Sequence, residues 1–590
     1  MITLPFEFIF DVHPGIFLIV AGILLAIFPV KIRRVCHVAI AVFAWYLTMT
    51  NPIGTEEHLN VLGEYSLFYM KVTEYNLIFL IAFASVGVIG AIFSFGHTSR
   101  IEGFASTAYV GCALGITMAG DWLTLFIFWE IMAIVSLFLV WDSHTMVATR
   151  AGFRYLLMHM VGGSLMLFGV VDQMVEGEFY FVQMTGGDLN LSFWLIFLGM
   201  IINAGAVPLH FWIPDAYPES TLTGGVYMNA LTTKAAVFAL LTSFIGFKVL
   251  IVLGVIMIIY GALYALITSD FRKILSYHII SQVGFMVTDI GIGGAVGANA
   301  SAGLAFTHIM YKMTLFMCAG IVIFVTGKRN ITDLGGIAKK LPLVTVCYFI
   351  AALSISGVPP FAGFVGKSWS ILAAEESGLT WVMVLMTLGS VMTALSILFK
   401  TGYYVFFTKP RSDYQVKKVP GSMKVAMLIG TGLCVFIGVT PQLFYRLLPH
   451  SIEYRPYTVS HVFEYVLLMA ATMLIFILFR KKLEPHHAIH LDVDYLFRGP
   501  GQRALLNGSK FVIKVCNFFG GGGRKMYDRI QTTSHQPYKW RRPMNVPEEK
   551  KGSLRYEEDA FRMKIGEGMF SVMAAIIVIG IVLIVLMKMN

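Results

Sequence analysis

The dominant feature of this sequence is a series of apolar runs of about 20 residues, each long enough to cross a hydrocarbon core ~30 Å thick. Hydrophobic residues make up 57% of the chain and charged residues only 13%, which is about half the charged fraction of a soluble domain. We therefore predict an all-α polytopic membrane protein with about 16 transmembrane helices. The candidate spans are 15–30, 35–50, 75–96, 104–119, 121–141, 151–172, 193–212, 224–247, 249–268, 274–297, 300–326, 341–373, 380–408, 424–442, 461–480 and 568–587.

The formal net charge of +10 would suit nucleic-acid binding, but the lysines and arginines concentrate in alternate short loops between the spans. The positive-inside rule places these richer loops in the cytoplasm. We therefore predict a protein of the cell (inner) membrane whose partner is the lipid bilayer and not a nucleic acid. Because the number of spans is even, the N-terminus and the C-terminus are both predicted on the non-cytoplasmic side.

Two predicted spans are interrupted, the seventh by AVPLHFWIPD at 206–215 and the twelfth by SGVPPFAGFVGK at 356–367. Irregular backbone at membrane depth is tolerated only where it is buried in protein or lines a polar cavity. If spans 4–8 and 9–13 are two repeats, each break falls in the fourth helix of its repeat, and five helices per repeat require the second copy to be inverted. Paired broken helices in inverted repeats indicate a transport path, whereas the alternative is that each proline only kinks its helix.

The chain beyond the two repeats is predicted to contain further helices and a polar, basic segment. Within that segment, residues 502–519 combine apolar side chains with basic ones and predict an amphipathic surface helix, which four glycines at 520–523 would end. The predicted organisation is 1–100, N-terminal helices; 104–247, first repeat; 249–408, second repeat; 424–480, additional helices; 481–566, cytoplasmic amphipathic and basic segment; and 567–590, final transmembrane helix.

Several ionisable residues lie within the predicted spans, which is costly in a membrane. Glu130 and Lys234 are near the middle of their spans, His308 and Lys312 share one helix face, and Lys367 follows the second break. A charge at the centre of a helix costs about 2.5–3.5 kcal/mol on the more lenient insertion scale. A row of such groups facing the interior of a bundle is typical of a proton relay.

Each of these residues also has a structural explanation. Lys312 and Lys367 have side chains long enough to reach an interface, and His308 by itself would suit a hydrogen-bonded core histidine. Glu130 and Lys234 would suit an ion pair that orients two helices. A pathway explains the whole set, whereas the structural explanations must be made one residue at a time.

Other residues are not assigned to the site. Lys400 lies near the predicted cytoplasmic end of span 13, where we expect its side chain to reach towards the interface. The six cysteines show no CxxC or other metal-ligand spacing, and the chain contains no motif for flavin, nucleotide or iron–sulfur binding. We therefore predict no metal, no cofactor and no catalytic chemistry within this chain.

Three sequence stretches resemble the antiporter-like subunits shared by complex I, membrane-bound hydrogenases and Mrp Na⁺/H⁺ antiporters, and the resemblance is greatest to the D subunit of the Mrp antiporters. The stretch PLHFWIPDA at 208–216 is similar to the family's PLHxWLPDA pattern. DFRKILSY at 270–277, followed by SQVG at 281–284, is similar to DxKRxLAYSSxSxxG. GVPP at 357–360 with GFVGK at 363–367 is similar to GxPPxxGFxxK/E, so that the resemblance extends over about residues 75–445.

This resemblance implies two half-channels joined by a row of charges along the middle of the membrane. The row would consist of Glu130, Lys234, His308, Lys312 and Lys367. Gln282 occupies a position that is His in some members. One residue departs from the family pattern, because Asn203 stands where relatives have the lysine that pairs with the glutamate corresponding to Glu130.

From these features we predict an ion-translocating subunit of a multi-subunit Mrp-type or related complex, which moves H⁺ with Na⁺/H⁺ exchange left open. The partners would be other membrane subunits, and any redox chemistry would belong to them. One alternative is the proton-pumping arm of a respiratory or hydrogenase complex, or the membrane subunit of an inorganic-carbon uptake system. A scaffold that keeps the fold without transport is a further alternative, for which Asn203 is the main support.

A second hypothesis concerns the residue that replaces the missing lysine. Glu130 lies roughly 14 Å into its span, Asn203 lies at a similar depth, and His159 on the sixth span is expected within about one helical turn of Glu130. A histidine at that depth would suit accepting a proton from the glutamate, since its ordinary pKa is near neutrality. The alternative is that His159 packs between helices and Glu130 stays protonated, hydrogen-bonded to Asn203.

Overall fold

The computed structural model describes residues 12–61, 65–184 and 189–486, together with isolated positions between 492 and 510. Through residue 486, these described residues form twenty α-helices and one antiparallel hairpin of two strands. The elements are α1 Pro14–Ile27, α2 Val30–Thr50, β1 Glu56–Val61, β2 Tyr65–Lys71, α3 Glu74–Ser94, α4 Arg100–Met118, α5 Trp122–Trp141, α6 Met146–Val175, α7 Leu191–Ala204, α8 Trp212–Ala216, α9 Gly224–Met228, α10 Thr232–Ser243, α11 Val249–Ile267, α12 Phe271–Ile292, α13 Gly294–Thr326, α14 Ile337–Lys340, α15 Pro342–Ile355, α16 Ala362–Glu376, α17 Thr380–Thr393, α18 Gly421–Val439, α19 Pro441–Tyr445 and α20 Val459–Phe479.

The helices agree with a multi-pass membrane protein. Among the described residues, nine helices are long and apolar enough to cross a bilayer, and α1, α7 and α15 are shorter apolar helices. Helices occupy every predicted span from 15–30 to 461–480, while the total number of crossings, the inverted repeats and the side of each terminus stay predictions. The amphipathic stretch 502–519 is described only at isolated positions, and the last predicted span, 568–587, lies outside the described residues.

Burial varies strongly between helices, and this variation locates the core. Nearly every residue of α12 and α13 is buried, so these two helices lie at the centre of the bundle. By contrast, most apolar side chains of α20 are exposed, as is expected of a helix that faces lipid. Polar side chains on α12 and α13 are therefore the ones that lie deepest in the protein.

The strand hairpin β1–β2 was not predicted from the sequence. Its position is determined by Asp121, the residue before α5, whose carboxylate accepts hydrogen bonds from the Phe68 amide at 2.6 Å and from the Thr124 amide at 2.7 Å. The second bond caps the amino end of α5. One carboxylate therefore joins the hairpin to the start of the helix that carries Glu130.

Both breaks suggested by the prolines are present, and they have the same backbone pattern. After α7, Gly205 has φ +77° and the Ala206 amide donates to the Ile201 carbonyl at 3.0 Å. After α15, Gly357 has φ +78° and the Val358 amide donates to the Leu353 carbonyl at 3.0 Å. This is the left-handed helix end that favours glycine.

The sequence predicted one continuous span over 224–247, and this prediction is wrong. The span is divided into α9 and α10 at residues 229–231. The Thr232 amide donates to the Tyr109 hydroxyl at 3.1 Å, and the side-chain amide nitrogen of Asn229 donates to two carbonyls of α9. Side chains therefore replace the helical hydrogen bonds, and no proline or glycine marks the point of interruption.

The helix that begins as α17 changes its winding part of the way along. After Thr393 it continues as a π-helix over Ala394–Thr401 and again over Tyr403–Phe407. The sequence predicted a single regular span over 380–408. Such wider turns often occur at functional sites because they displace side chains from the regular helical positions.

Candidate functional site

Four of the predicted site residues lie together at the centre of the bundle. They are Lys234 on α10, His308 and Lys312 on α13, and Lys367 on α16, and each is at most 1% exposed. The His308 ring lies within range of electrostatic interaction with all three lysines, and Lys312 lies within that range of Lys234. We call these four residues the central row.

Two lysines of the central row bind the carbonyl groups that the helix breaks leave free. The Lys234 amine donates to the Asn229 carbonyl at 2.7 Å, between α9 and α10. The Lys367 amine donates at 2.8 Å to the carbonyl of Ile355, the last residue of α15. The carboxyl end of a helix carries a partial negative charge, so each break stabilises one buried ammonium without a carboxylate.

The other two members of the row have few polar contacts. Within the described part of the chain, the Lys312 amine and both ring nitrogens of His308 make no hydrogen bond. Gln282 on α12 accepts a hydrogen bond from the Tyr311 hydroxyl at 3.3 Å, and its own amide nitrogen has no hydrogen-bond partner among the described residues. These buried polar atoms are therefore available to bind water.

The remaining predicted residues form a separate group between α5, α6 and α7. One carboxylate oxygen of Glu130 packs directly against Gly163 and makes no hydrogen bond within the described residues. His159, one helical turn before Gly163, packs its ring against the Trp212 ring, with ring centres 4.7 Å apart. Asn203 interacts with His159, although neither side chain makes a hydrogen bond of regular geometry to any residue that the structure describes.

A set of hydroxyl groups lies between this separate group and the central row. The ring of Tyr155 is 4.2 Å from the His159 ring, and its hydroxyl interacts with Thr232. The Tyr109 hydroxyl lies 2.5 Å from the Thr232 hydroxyl, and the next residue, Thr233, accepts a hydrogen bond from Lys234 at 3.1 Å. Polar side chains therefore continue from His159 to Lys234.

Lys400, which we expected to reach towards the interface, is instead buried against the end of a neighbouring helix. Lys400 is only 3% exposed, and its amine donates hydrogen bonds to the carbonyls of Leu266, at 2.5 Å, and Thr268, at 3.0 Å. Those carbonyls belong to the carboxyl end of α11, which packs beside the π-helical part of α17. Lys400 is thus a third buried lysine bound to a helix end, which sequence position alone did not indicate.

Among the buried ionisable residues that were not predicted as site residues, His278 and Asp289 lie on the central helix α12. His278 lies within range of electrostatic interaction with Lys312 and Lys367. Asp289 is fully buried and accepts a hydrogen bond from the Ser370 hydroxyl at 2.7 Å, while its other oxygen makes no hydrogen bond to a described residue. An ionisable side chain inside an apolar helix is the signal that identified Lys234, and the same signal was available for both residues.

The described residues offer little to a metal ion. Among them, no group of three or more His, Cys, Asp or Glu side chains is arranged to hold a metal. The site is instead a buried set of lysines and a histidine, in which Lys234 and Lys367 bind backbone carbonyls.

Comparison with known proteins identifies relatives. The family model described as NADH:quinone oxidoreductase/Mrp antiporter, TM, matches residues 119–393. An uncharacterized protein of Methanocaldococcus jannaschii, MJ1309, is 31% identical over 377 residues, which cover 59% of this chain and 75% of that protein. The D subunit of the Na⁺/H⁺ antiporter of Alkalihalophilus pseudofirmus is 27% identical over 370 residues, covering 57% of this chain and 73% of that protein.

The fold also has a counterpart among solved structures. A chain of the Mrp complex from Dietzia sp. DQ12-45-1b superposes with a TM-score of 0.67 at 21% sequence identity, covering 75% of this chain and 96% of that one. At this level of identity the likeness concerns the fold alone.

Proposed function

Since the chain belongs to the NADH:quinone oxidoreductase/Mrp antiporter transmembrane family, we propose that it is an ion-translocating subunit of a multi-subunit membrane complex. The ion proposed is H⁺, which passes along the central row of Lys234, His308, Lys312 and Lys367. The relatives that are D subunits of antiporters favour an Mrp-type complex over a respiratory or hydrogenase complex. The partners are then other membrane subunits, and any redox chemistry belongs to them.

The observation that carries this proposal is the burial of three lysines without a carboxylate. In the described part of the chain, no ion pair joins Lys234, Lys312 or Lys367 to an acidic side chain. Burial favours the uncharged form of an amine, and a nearby positive charge favours it further. A proton that binds one member of the row therefore promotes release from its neighbour, which is the behaviour that a relay requires.

A structural role explains this arrangement less well. Apolar side chains would fill the same space without the cost of a buried charge, which is about 2.5–3.5 kcal/mol for each lysine at a helix centre. The helix breaks reduce this cost at Lys234 and Lys367, because each amine binds a free carbonyl. They thus permit the lysines to be buried, but they do not explain why lysine is present.

The residues around Glu130 are proposed as an entry to the row. His159 and Asn203 interact with each other, and the hydroxyls of Tyr155, Thr232 and Tyr109 continue towards Lys234. In this proposal a proton leaves Glu130, passes His159 and reaches Lys234 through these hydroxyls. A scaffold without transport is the second candidate, and the observation that favours it is Asn203, which cannot carry a proton as lysine does.

The proposal is tested by ion flux in everted membrane vesicles from cells that produce the whole complex. Lys234→Met and Lys367→Met should each abolish pH-driven flux while the complex still inserts and assembles, because each removes one proton-binding site from the row. Lys273→Met is the matched control, because Lys273 is exposed at the start of α12 and should retain wild-type flux. Full flux in both row variants, with the wild type active, would contradict the relay.

A further inference from the structure

A second set of polar residues leads away from the central row. The His278 ring nitrogen lies 3.1 Å from the hydroxyl of Ser396, and both residues are fully buried. Ser396 lies four residues before Lys400 in the π-helical segment Ala394–Thr401. Because His278 also lies within range of electrostatic interaction with Lys312 and Lys367, it joins the row to the π-helical segment that carries Lys400.

The far end of this set lies at the surface of the bundle that carries basic loops. Lys400 donates to the carbonyl of Thr268, which is followed by the short loop between α11 and α12. In that loop Asp270 forms an ion pair with Arg329 at 2.5 Å. Ser269 beside it is partly exposed, so the Lys400 amine is within a few residues of the surface.

Two of these groups lie in the π-helical continuation of α17. In the π-helix the regular hydrogen bonds are displaced, and the Ile397 carbonyl accepts a hydrogen bond from the Tyr348 hydroxyl at 2.9 Å. Ser396 and Lys400 lie on either side of this carbonyl in the chain and are both buried among α11, α12 and α15. Local departures of this kind cost stability and are commonly found at functional sites.

We infer that His278, Ser396 and Lys400 form a proton-conducting branch that joins the central row to the end of the bundle where α11 terminates. This inference rests on the proposed function. His278 gives a proton to the Ser396 hydroxyl, which gives its own proton onward, so that the serine is unchanged. The neutral Lys400 amine accepts that proton and later releases it at the adjacent loop, which restores the amine.

The competing explanation is that Lys400 only caps the carboxyl end of α11. Lysines near a helix end commonly bind the last carbonyls, and such a cap needs only a positive charge and hydrogen-bond donors. Arginine provides both, but its guanidinium does not release a proton in proteins. Lys400→Arg therefore separates the two roles, since it retains the cap and removes the relay.

The experiment measures pH-driven flux in everted vesicles that contain the whole complex. Lys400→Arg and Ser396→Ala should assemble normally and lose at least about tenfold in flux, as expected when one proton-transferring group is removed. Lys409→Arg, an exposed position in the loop after α17, is the control and should match the wild type. If Lys400→Arg does not assemble, Ser396→Ala decides the question alone.

Wild-type flux in an assembled Lys400→Arg or Ser396→Ala variant would overturn the branch. If Lys234→Met still abolishes flux in the same vesicles, the proposed function stands and only the branch is rejected. If the wild-type complex itself shows no flux, the proposed function fails and the branch fails with it.

Discussion

The Lys234 amine makes two opposing contributions to stability, which allows a quantitative prediction for Lys234→Met. Methionine fills a similar volume, removes the buried charge and removes the hydrogen bond to the Asn229 carbonyl at 2.7 Å. Removing a charge from a helix centre relieves about 2.5–3.5 kcal/mol. Leaving a buried carbonyl without a partner costs about 1–3 kcal/mol.

These two contributions nearly cancel. The variant should range from about 0.5 kcal/mol less stable to about 2.5 kcal/mol more stable than the wild type. Losing the hydrogen bond that the Thr233 hydroxyl oxygen accepts from the amine at 3.1 Å adds little, because the hydroxyl can still donate its own proton. We therefore expect Lys234→Met to assemble normally, with an apparent melting temperature that stays close to that of the wild type or rises above it, while its flux is lost.

The assay is thermal unfolding of the purified complex in detergent, combined with flux in vesicles from the same cells. Lys273→Met, which changes an exposed lysine, controls for the loss of one positive charge. A variant that loses flux because it no longer assembles would show that Lys234 is needed to join α9 to α10. A stable variant with full flux would show that the amine is not part of a relay, and either result would refute this reasoning.

Two other predictions address the entry group and the orientation of the chain. His159→Asn should greatly reduce ion flux, and Asn203→Lys should partly restore it in that background, because a lysine would again accept the proton released by Glu130. Unchanged flux in His159→Asn would exclude the histidine from the proton route and would indicate that this half of the protein does not conduct protons. The second prediction concerns orientation and uses a membrane-impermeant thiol reagent applied to intact cells. A single cysteine introduced by Lys510→Cys should be protected from the reagent and one introduced by Asn590→Cys should be labelled, because the basic loops favour the cytoplasm. The opposite labelling pattern would show that the predicted number of spans or the predicted orientation is wrong.

Features that depend on a residue's own chemistry were predictable from the sequence. The apolar runs predicted the helices because only a helix satisfies its backbone hydrogen bonds within one segment in lipid. Proline predicted the breaks after α7 and α15, and the left-handed conformation found there at Gly205 and Gly357 favours glycine whatever surrounds it. Lys234 and Lys367 were recognisable as candidates because a charge inside an apolar run is costly in any membrane fold.

Features that depend on groups from other helices were decided only by the tertiary structure. The break before α10 exists because the Tyr109 hydroxyl, distant in sequence, binds the amide of Thr232. Lys400 is buried because the end of α11 supplies two carbonyls to its amine, and these come from residues more than 130 positions away in the chain. A sequence records which groups need a partner, whereas the partner itself is determined by how the helices pack.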